Sequence, residues 1–131
     1  MFLDASVIVA ILGRESDATA WAERLSRASK IHVSALSIYE AALGLARRRN
    51  LAIADASRLV EALVEEVHAE MIAIDTDIGR AAIDAFERFG KGRHAAGLNL
   101  GDCFAYARAR QLGVPLLCTG DDFARTDIAI A

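Results

Sequence analysis

Lysine is almost missing from this chain of 131 residues, where Lys30 and Lys91 are the only two, and proline, cysteine and tryptophan are as scarce, at one, two and one. A single proline leaves no proline-rich linker, and no low-complexity stretch separates one part of the chain from another, so residues 1–131 are expected to form one domain. Cys103 and Cys118 sit in apolar neighbourhoods and match no zinc-site spacing, so a disulfide framework and a structural zinc are both excluded and the two are expected as reduced core residues. No apolar run reaches the roughly 18 residues of a membrane span. Asp4 stands where a secretory leader would carry positive charge, so a cytoplasmic chain with no membrane association is expected. A basic surplus is absent too. Eighteen acids face 15 bases for a net charge of −3, and any nucleic-acid partner needs a local source of positive charge.

What is present is a regular alternation. Residues 1–3 read as a short apolar strand stopping at Asp4, after which Ser6 caps a helix through Val7, Ile8, Ala10, Ile11 and Leu12 that Gly13 ends. A second helix starts near Asp17, with Ala18, Trp21, Ala22 and Leu25 on one stripe. Residues 31–33 are a strand. Ser34 or Ser37 caps a third helix that runs to Arg47, Arg48 and Arg49, and Asp55 opens a fourth through Leu59, Val60, Leu63, Val64 and Val67. Residues 71–74 are the next strand, and Asp75 or Thr76 caps a fifth helix that closes at Gly90. The stretch 90–100 is the one long loop, rich in glycine and carrying Lys91, Arg93 and His94. A sixth helix covers 101–112, residues 116–119 form a buried strand, and residues 128–130 a final edge strand. Short, continuously apolar strands alternating with helices describe an α/β fold with a short, mainly parallel central sheet covered on both faces.

In such sheets ligands gather beyond the carboxyl ends of the strands, where the strand order reverses. Asp4 follows the first strand and Asp121 and Asp122 follow the last buried one, so these acids point to one rim. Glu40 borders the stripe of Leu36, Tyr39, Leu43 and Ala46 on the third helix, and Asp102 opens the sixth among small and apolar residues. Singly, each has an ordinary explanation: a turn, a helix-flank charge, or complement to a helix dipole. Together, carboxylates converging without cations would repel one another and rise in pKa, a conflict that a hard divalent ion such as Mg²⁺ or Mn²⁺ resolves. Water bound to such an ion is a good nucleophile, which suits hydrolysis of a nucleic-acid backbone.

Four blocks then carry a resemblance: Met1-Phe2-Leu3-Asp4-Ala5-Ser6; Ser34-Ala35-Leu36-Ser37-Ile38-Tyr39-Glu40; residues 98–107 around Asp102; and Leu116-Leu117-Cys118-Thr119-Gly120-Asp121-Asp122-Phe123. In order and spacing the chain resembles PIN-domain ribonucleases, and more narrowly the VapC toxins of type II toxin–antitoxin pairs. The resemblance implies a PIN-like three-layer α/β/α fold and a metal-dependent endoribonuclease. It assigns Asp4, Glu40 and Asp102 as metal-binding acids, with Asp122, or alternatively Asp121, as the fourth. Ser6 and Thr119 become hydroxyls that orient carboxylates or a water. It also implies an RNA substrate, a cognate VapB-like antitoxin lying along a helical groove, and a homodimer. Trp21, Leu25, Leu43, Leu59, Leu63 and Val67 supply enough apolar helical surface for a groove as well as a core.

Other readings fit less well. A phosphorylated receiver module needs a lysine on a late strand, and neither lysine is there. Aspartyl-phosphate chemistry wants an acid two residues after Asp4, where Ser6 stands. A non-catalytic PIN-like module that binds RNA or a partner is the remaining alternative. Asp75 and Asp77 are read as helix-start acids, and Arg47 to Arg49 as complement to a helix C-terminus with RNA-backbone contact as the alternative. Lys91, Arg93 and His94 are the RNA-contact candidates, because positive charge and a glycine-rich loop coincide beside Asp102.

Overall fold

Two-residue strands sort their side chains by alternation. β1 (Phe2–Leu3) and β4 (Leu116–Leu117) run parallel, Phe2 opposite Leu116 and Leu3 opposite Leu117. Successive strand side chains point to opposite faces, so Phe2 and Leu116 enter one apolar core while Leu3 and Leu117 enter another. In the computed structural model, which describes residues 1–131, β2 (His32–Ser34) and β3 (Glu70–Ile72) complete an all-parallel sheet of order β3-β2-β1-β4. Helices α1 (Ala5–Leu12), α2 (Ala18–Ser26), α3 (Ala35–Arg49) and α4 (Ile53–Glu66) cover one face. Helices α5 (Thr76–Phe89) and α6 (Leu100–Leu112) cover the other, giving the expected three layers. Phe2, Leu3, Val7, Ile8, Val33, Leu45 and Val60 are wholly buried, each contributing about 1.5–3 kcal/mol by leaving water. Cys103 and Cys118 are buried and unpaired. No helix is long and apolar enough to cross a membrane.

Several local expectations shift. Asp4, not Ser6, caps α1, because its carboxylate accepts the Ser6 N–H and the helix begins at Ala5. Ser34 caps α3 and Asp75 caps α5, whereas α4 starts two residues before Asp55. The expected inward stripe of α3 is rotated: Ser37, Ala41, Ala42, Leu45 and Ala46 are buried, and Tyr39 is 60% exposed. Small residues let α3 approach α1 and α4 closely, so closeness of packing rather than side-chain size chooses the face. Leu25 belongs to the core, with Trp21, Leu63 and Val67 packed against it, and Leu59 is exposed.

Two loops are pinned. The segment 90–98 closes on itself through paired backbone bonds, Lys91 N–H to Leu98 O and Leu98 N–H to Phe89 O, both 3.0 Å. His94 accepts the Ala96 N–H and packs edge-on against Phe89, and Arg93 pairs with Glu87. The C-terminal segment adds one bridge beside β4, between Leu116 and Ile130, rather than a full strand. Asp127 holds it: the Tyr106 hydroxyl and the Arg88 guanidinium (2.7 Å) both donate to its carboxylate and keep its pKa down at about 2, and Arg110 joins them at 3.0 Å.

Candidate metal and active site

The strand order places β2 and β3 on one side of β1 and β4 on the other, so the reversal falls between the carboxyl ends of β1 and β4. Asp4 stands at the first of those ends and Thr119 just beyond the second. Between them and the start of α6 lies a cleft of about 310 Å³ lined by Asp4, Ser6, Val9, Glu15, Glu40, Asn99, Asp102 and Thr119. Three separate elements deliver its acids: the β1–α1 junction gives Asp4, the second turn of α3 gives Glu40, and the first turn of α6 gives Asp102.

Each carboxylate is held by local chemistry. Asp4 is buried, and Ser6 donates both its N–H (2.9 Å) and its Oγ–H (2.5 Å) to Oδ2, leaving Oδ1 without a side-chain donor. Ser6 Oγ also accepts the Thr119 N–H at 3.0 Å, which ties the ends of β1 and β4 together. Thr119 thus enters through its backbone, and the residue lines the cleft. Asp102 forms a reciprocal capping box with Asn99: its Oδ2 accepts the Asn99 N–H at 2.8 Å, and Asn99 Oδ1 accepts the Asp102 N–H at 3.0 Å. The helix-start explanation and the site explanation of Asp102 are therefore both satisfied. Glu40 lies against Gly101, where an added Cβ would come within 2.1 Å of either carboxylate oxygen, at the positive end of α6.

No cation answers these acids. Asp4, Glu40 and Asp102 take part in none of the ten ion pairs. Burial raises the pKa of all three; Asp4 and Asp102 push Glu40 further, to about 7, and Asp4 and Asp122 push Asp102 further up. An all-oxygen set of unpaired, mutually repelling carboxylates fits a hard divalent cation. No three His, Cys, Asp or Glu side chains form a ready-made metal cage, and a hard ion here would take solvent or substrate for most of its ligands.

The remaining candidates divide. Asp122 is exposed, yet its charge reaches Asp102 and the Cys118 thiol, which burial, Asp4, Asp102 and Asp122 together push up to about 12. Asp121 is exposed too, and neither aspartate is among the residues that line the cleft. Of the loop residues, Lys91 alone has no side-chain bond, since Arg93 and His94 are engaged within their own region. Sequence reasoning missed Glu15, Asn99 and Gly101. The Asn99-x-x-Asp102 spacing is a readable capping signal, but the other two join the site through contacts that no local pattern records.

The PIN domain family model matches residues 1–129. A VapC ribonuclease of Rhizobium meliloti (strain 1021) is 42% identical, covering 97% of this chain and 98% of its own. Ribonuclease VapC42 of Mycobacterium tuberculosis is 41% identical, covering 98% and 96%. Among solved structures, Mycobacterium tuberculosis VapC20, described as a sarcin-ricin loop cleaving toxin, superposes with a TM-score of 0.81 at 15% identity, over 99% of this chain and 97% of its own. A toxin–antitoxin complex from Klebsiella pneumoniae superposes at 0.69, also at 15% identity, over 99% and 95%. At that identity the two structures speak for the fold.

Proposed function

The chain belongs to the PIN domain family and, within it, to the VapC ribonucleases, and from that premise we propose that it is the toxin of a type II toxin–antitoxin pair, a single-domain endoribonuclease over residues 1–131. The observation that carries this reading is the convergence of Asp4, Glu40 and Asp102 in one cleft with no protein cation among them. Mg²⁺ or Mn²⁺ bound there would be held by Asp4 and Asp102, with Glu40 and Asp122 assisting, and would supply charge for the scissile phosphate and an acidified water.

The chain's own residues do the positioning. Ser6 fixes the Asp4 carboxylate through one oxygen and leaves the other free of side-chain donors. Asn99 fixes Asp102 in the same way. Glu40, whose charge Asp4 and Asp102 oppose and a bound cation would favour, is the cleft carboxylate placed to accept a proton from an attacking water. Lys91, Arg93 and His94 remain candidate RNA contacts, with Lys91 the readiest because its side chain is otherwise unused. A cognate VapB-like antitoxin and a homodimer belong to the same reading. The contiguous apolar groove between α5 and α6, with Ile83, Phe86 and Leu100 exposed, supports an assembled state. The protein is expected to work in the cytoplasm.

The test is cleavage of a structured RNA by purified protein in Mg²⁺ or Mn²⁺, with and without EDTA. Cleavage should stop on chelation and in Asp4→Ala and Asp102→Ala. Activity that survives both substitutions, or survives chelation, would overturn the reading.

A further inference from the structure

Arg14 follows α1 and Arg47 to Arg49 end α3, two helices that carry cleft residues, and Arg48 reaches the cleft by pairing with Glu15, which lines it. Arg47 and Arg48 lie seven and eight residues beyond Glu40 on α3, two turns along the same face, about 10–12 Å away at 1.5 Å per residue. Gly44 lies between them and Glu40, and Val9 comes within 3.0 Å of where its Cβ would stand. The missing side chain lets α1 pack close there, and Val9 lines the cleft as well. Arg49 donates to Leu12 O at 3.4 Å, and the aliphatic stem of Arg48 crosses Gly13. Arg14 and Arg47 are exposed, and their side chains make no hydrogen bond or ion pair.

Glu15 joins this group to the acids. Arg14 adopts φ +56°, in the left-handed region that non-glycine residues seldom occupy. The turn it makes sends the Glu15 N–H back to Ala10 O at 3.0 Å and returns the Glu15 side chain to the cleft. There it is the one lining acid with a cation, paired to Arg48 at 3.1 Å with the arginine half-exposed.

We propose that the strip from Glu40 over Gly44 to Arg47 and Arg48 seats the phosphates of single-stranded RNA flanking the bond to be cut, and that Glu15 occupies Arg48 until a phosphate replaces it. The inference rests on the endoribonuclease reading. A guanidinium fork takes phosphate at least as well as carboxylate, so the exchange swaps one anion for another at Arg48 without leaving it unpaired. Glu15 is partly exposed and turns outward once released. The unpartnered Arg47 beside it supplies a second contact in line. This also locates positive charge that the overall composition conceals.

Binding of a labelled oligouridylate is read by anisotropy across a salt series, using Asp102→Asn protein so that the probe is not cut. Arg47→Gln and Arg48→Gln should each weaken binding several-fold and reduce the slope of log affinity against log salt by about 0.7, the loss of one single-strand phosphate contact. Arg48→Lys should keep the slope, because it keeps the charge. Glu15→Gln should tighten binding. Arg47 makes no intramolecular bond, so its substitution reads the strip without risk to the fold. Unchanged slopes in both glutamine variants, or weaker binding in Glu15→Gln, would overturn the inference. So would a polyglutamate peptide that binds through Arg47 and Arg48 while the oligouridylate ignores them. Failure of the function itself is separate: the unsubstituted protein would then cut no RNA in either metal.

Discussion

Glu40 faces two conflicting demands. Its position on α3 removes it partly from water, and Asp4 and Asp102 oppose its charge, so its carboxyl is pushed up to about 7 by burial first and by those neighbours second. In the metal-free protein the unfolded glutamate ionises near its ordinary value of 4.5, whereas the folded one keeps its proton to about 7. Across that window the native state binds the extra proton, so stability falls as pH rises and stays low above it. Glu40→Gln removes the conflict. We expect it to melt with the unsubstituted protein near pH 4 and to be more stable at pH 8, by about 1–3 kcal/mol once partial solvent screening is allowed for. Mg²⁺ or Mn²⁺ should raise the melting temperature of the unsubstituted protein more at pH 8 than at pH 5, and Glu40→Gln should blunt that gain. Scanning calorimetry of chelated and metal-loaded samples decides it, and a variant no more stable than its parent at pH 8 contradicts the account. At this scale much was legible: Asp4 and Asp102 stand out because each ends or begins an apolar element. Glu15 was not, because its place depends on a left-handed turn at Arg14 that only the folded chain displays.

The start of α6 joins helix formation to the site. Asn99 and Asp102 satisfy each other's backbone donors there, and Gly101 between them clears space for the Glu40 carboxylate. A methyl at 101 would meet the end of a flexible side chain rather than backbone, so Gly101→Ala should fold and move Glu40 instead. Alanine also favours a helix over glycine by up to about 1 kcal/mol. The expected outcome is a melting temperature equal to or above that of the parent with RNA cleavage down by roughly 10- to 100-fold, the usual consequence of shifting a catalytic group by about 1 Å. Unimpaired cleavage in a folded Gly101→Ala protein would remove Glu40 from the mechanism. Elements as such were readable from caps and apolar runs, and Asp75, Gly90 and Gly113 end or begin helices where their chemistry says they should. Faces were less so. The stripe chosen for α3 by residue size put Tyr39 inward, whereas the close approach of Ala41, Ala42 and Ala46 to their neighbours turns Tyr39 out.

Over the whole molecule the charges are sorted rather than balanced. A net charge of −3 would repel RNA if it were spread evenly. Instead Asp4, Glu40 and Asp102, none of them paired, line the cleft, and Arg48 stands beside it through its pair with Glu15, with Arg47 next to it on α3, an arrangement visible only once α1 and α3 lie together. The strip of arginines can hold flanking phosphates, but the phosphate nearest Asp4, Glu40 and Asp102 meets like charge unless a divalent cation stands between. RNA affinity should therefore rise with added Mg²⁺ or Mn²⁺ in the unsubstituted protein and be weak after chelation. Neutralising the cleft should uncouple the two: Asp4→Asn combined with Glu40→Gln should bind oligouridylate in EDTA more tightly than the unsubstituted protein does in EDTA, and gain little from added metal. Anisotropy titrations at fixed ionic strength measure both. If the neutralised cleft binds no better without metal, the acids are not what excludes RNA, and the metal's part in holding the substrate must be given up even if cleavage depends on it.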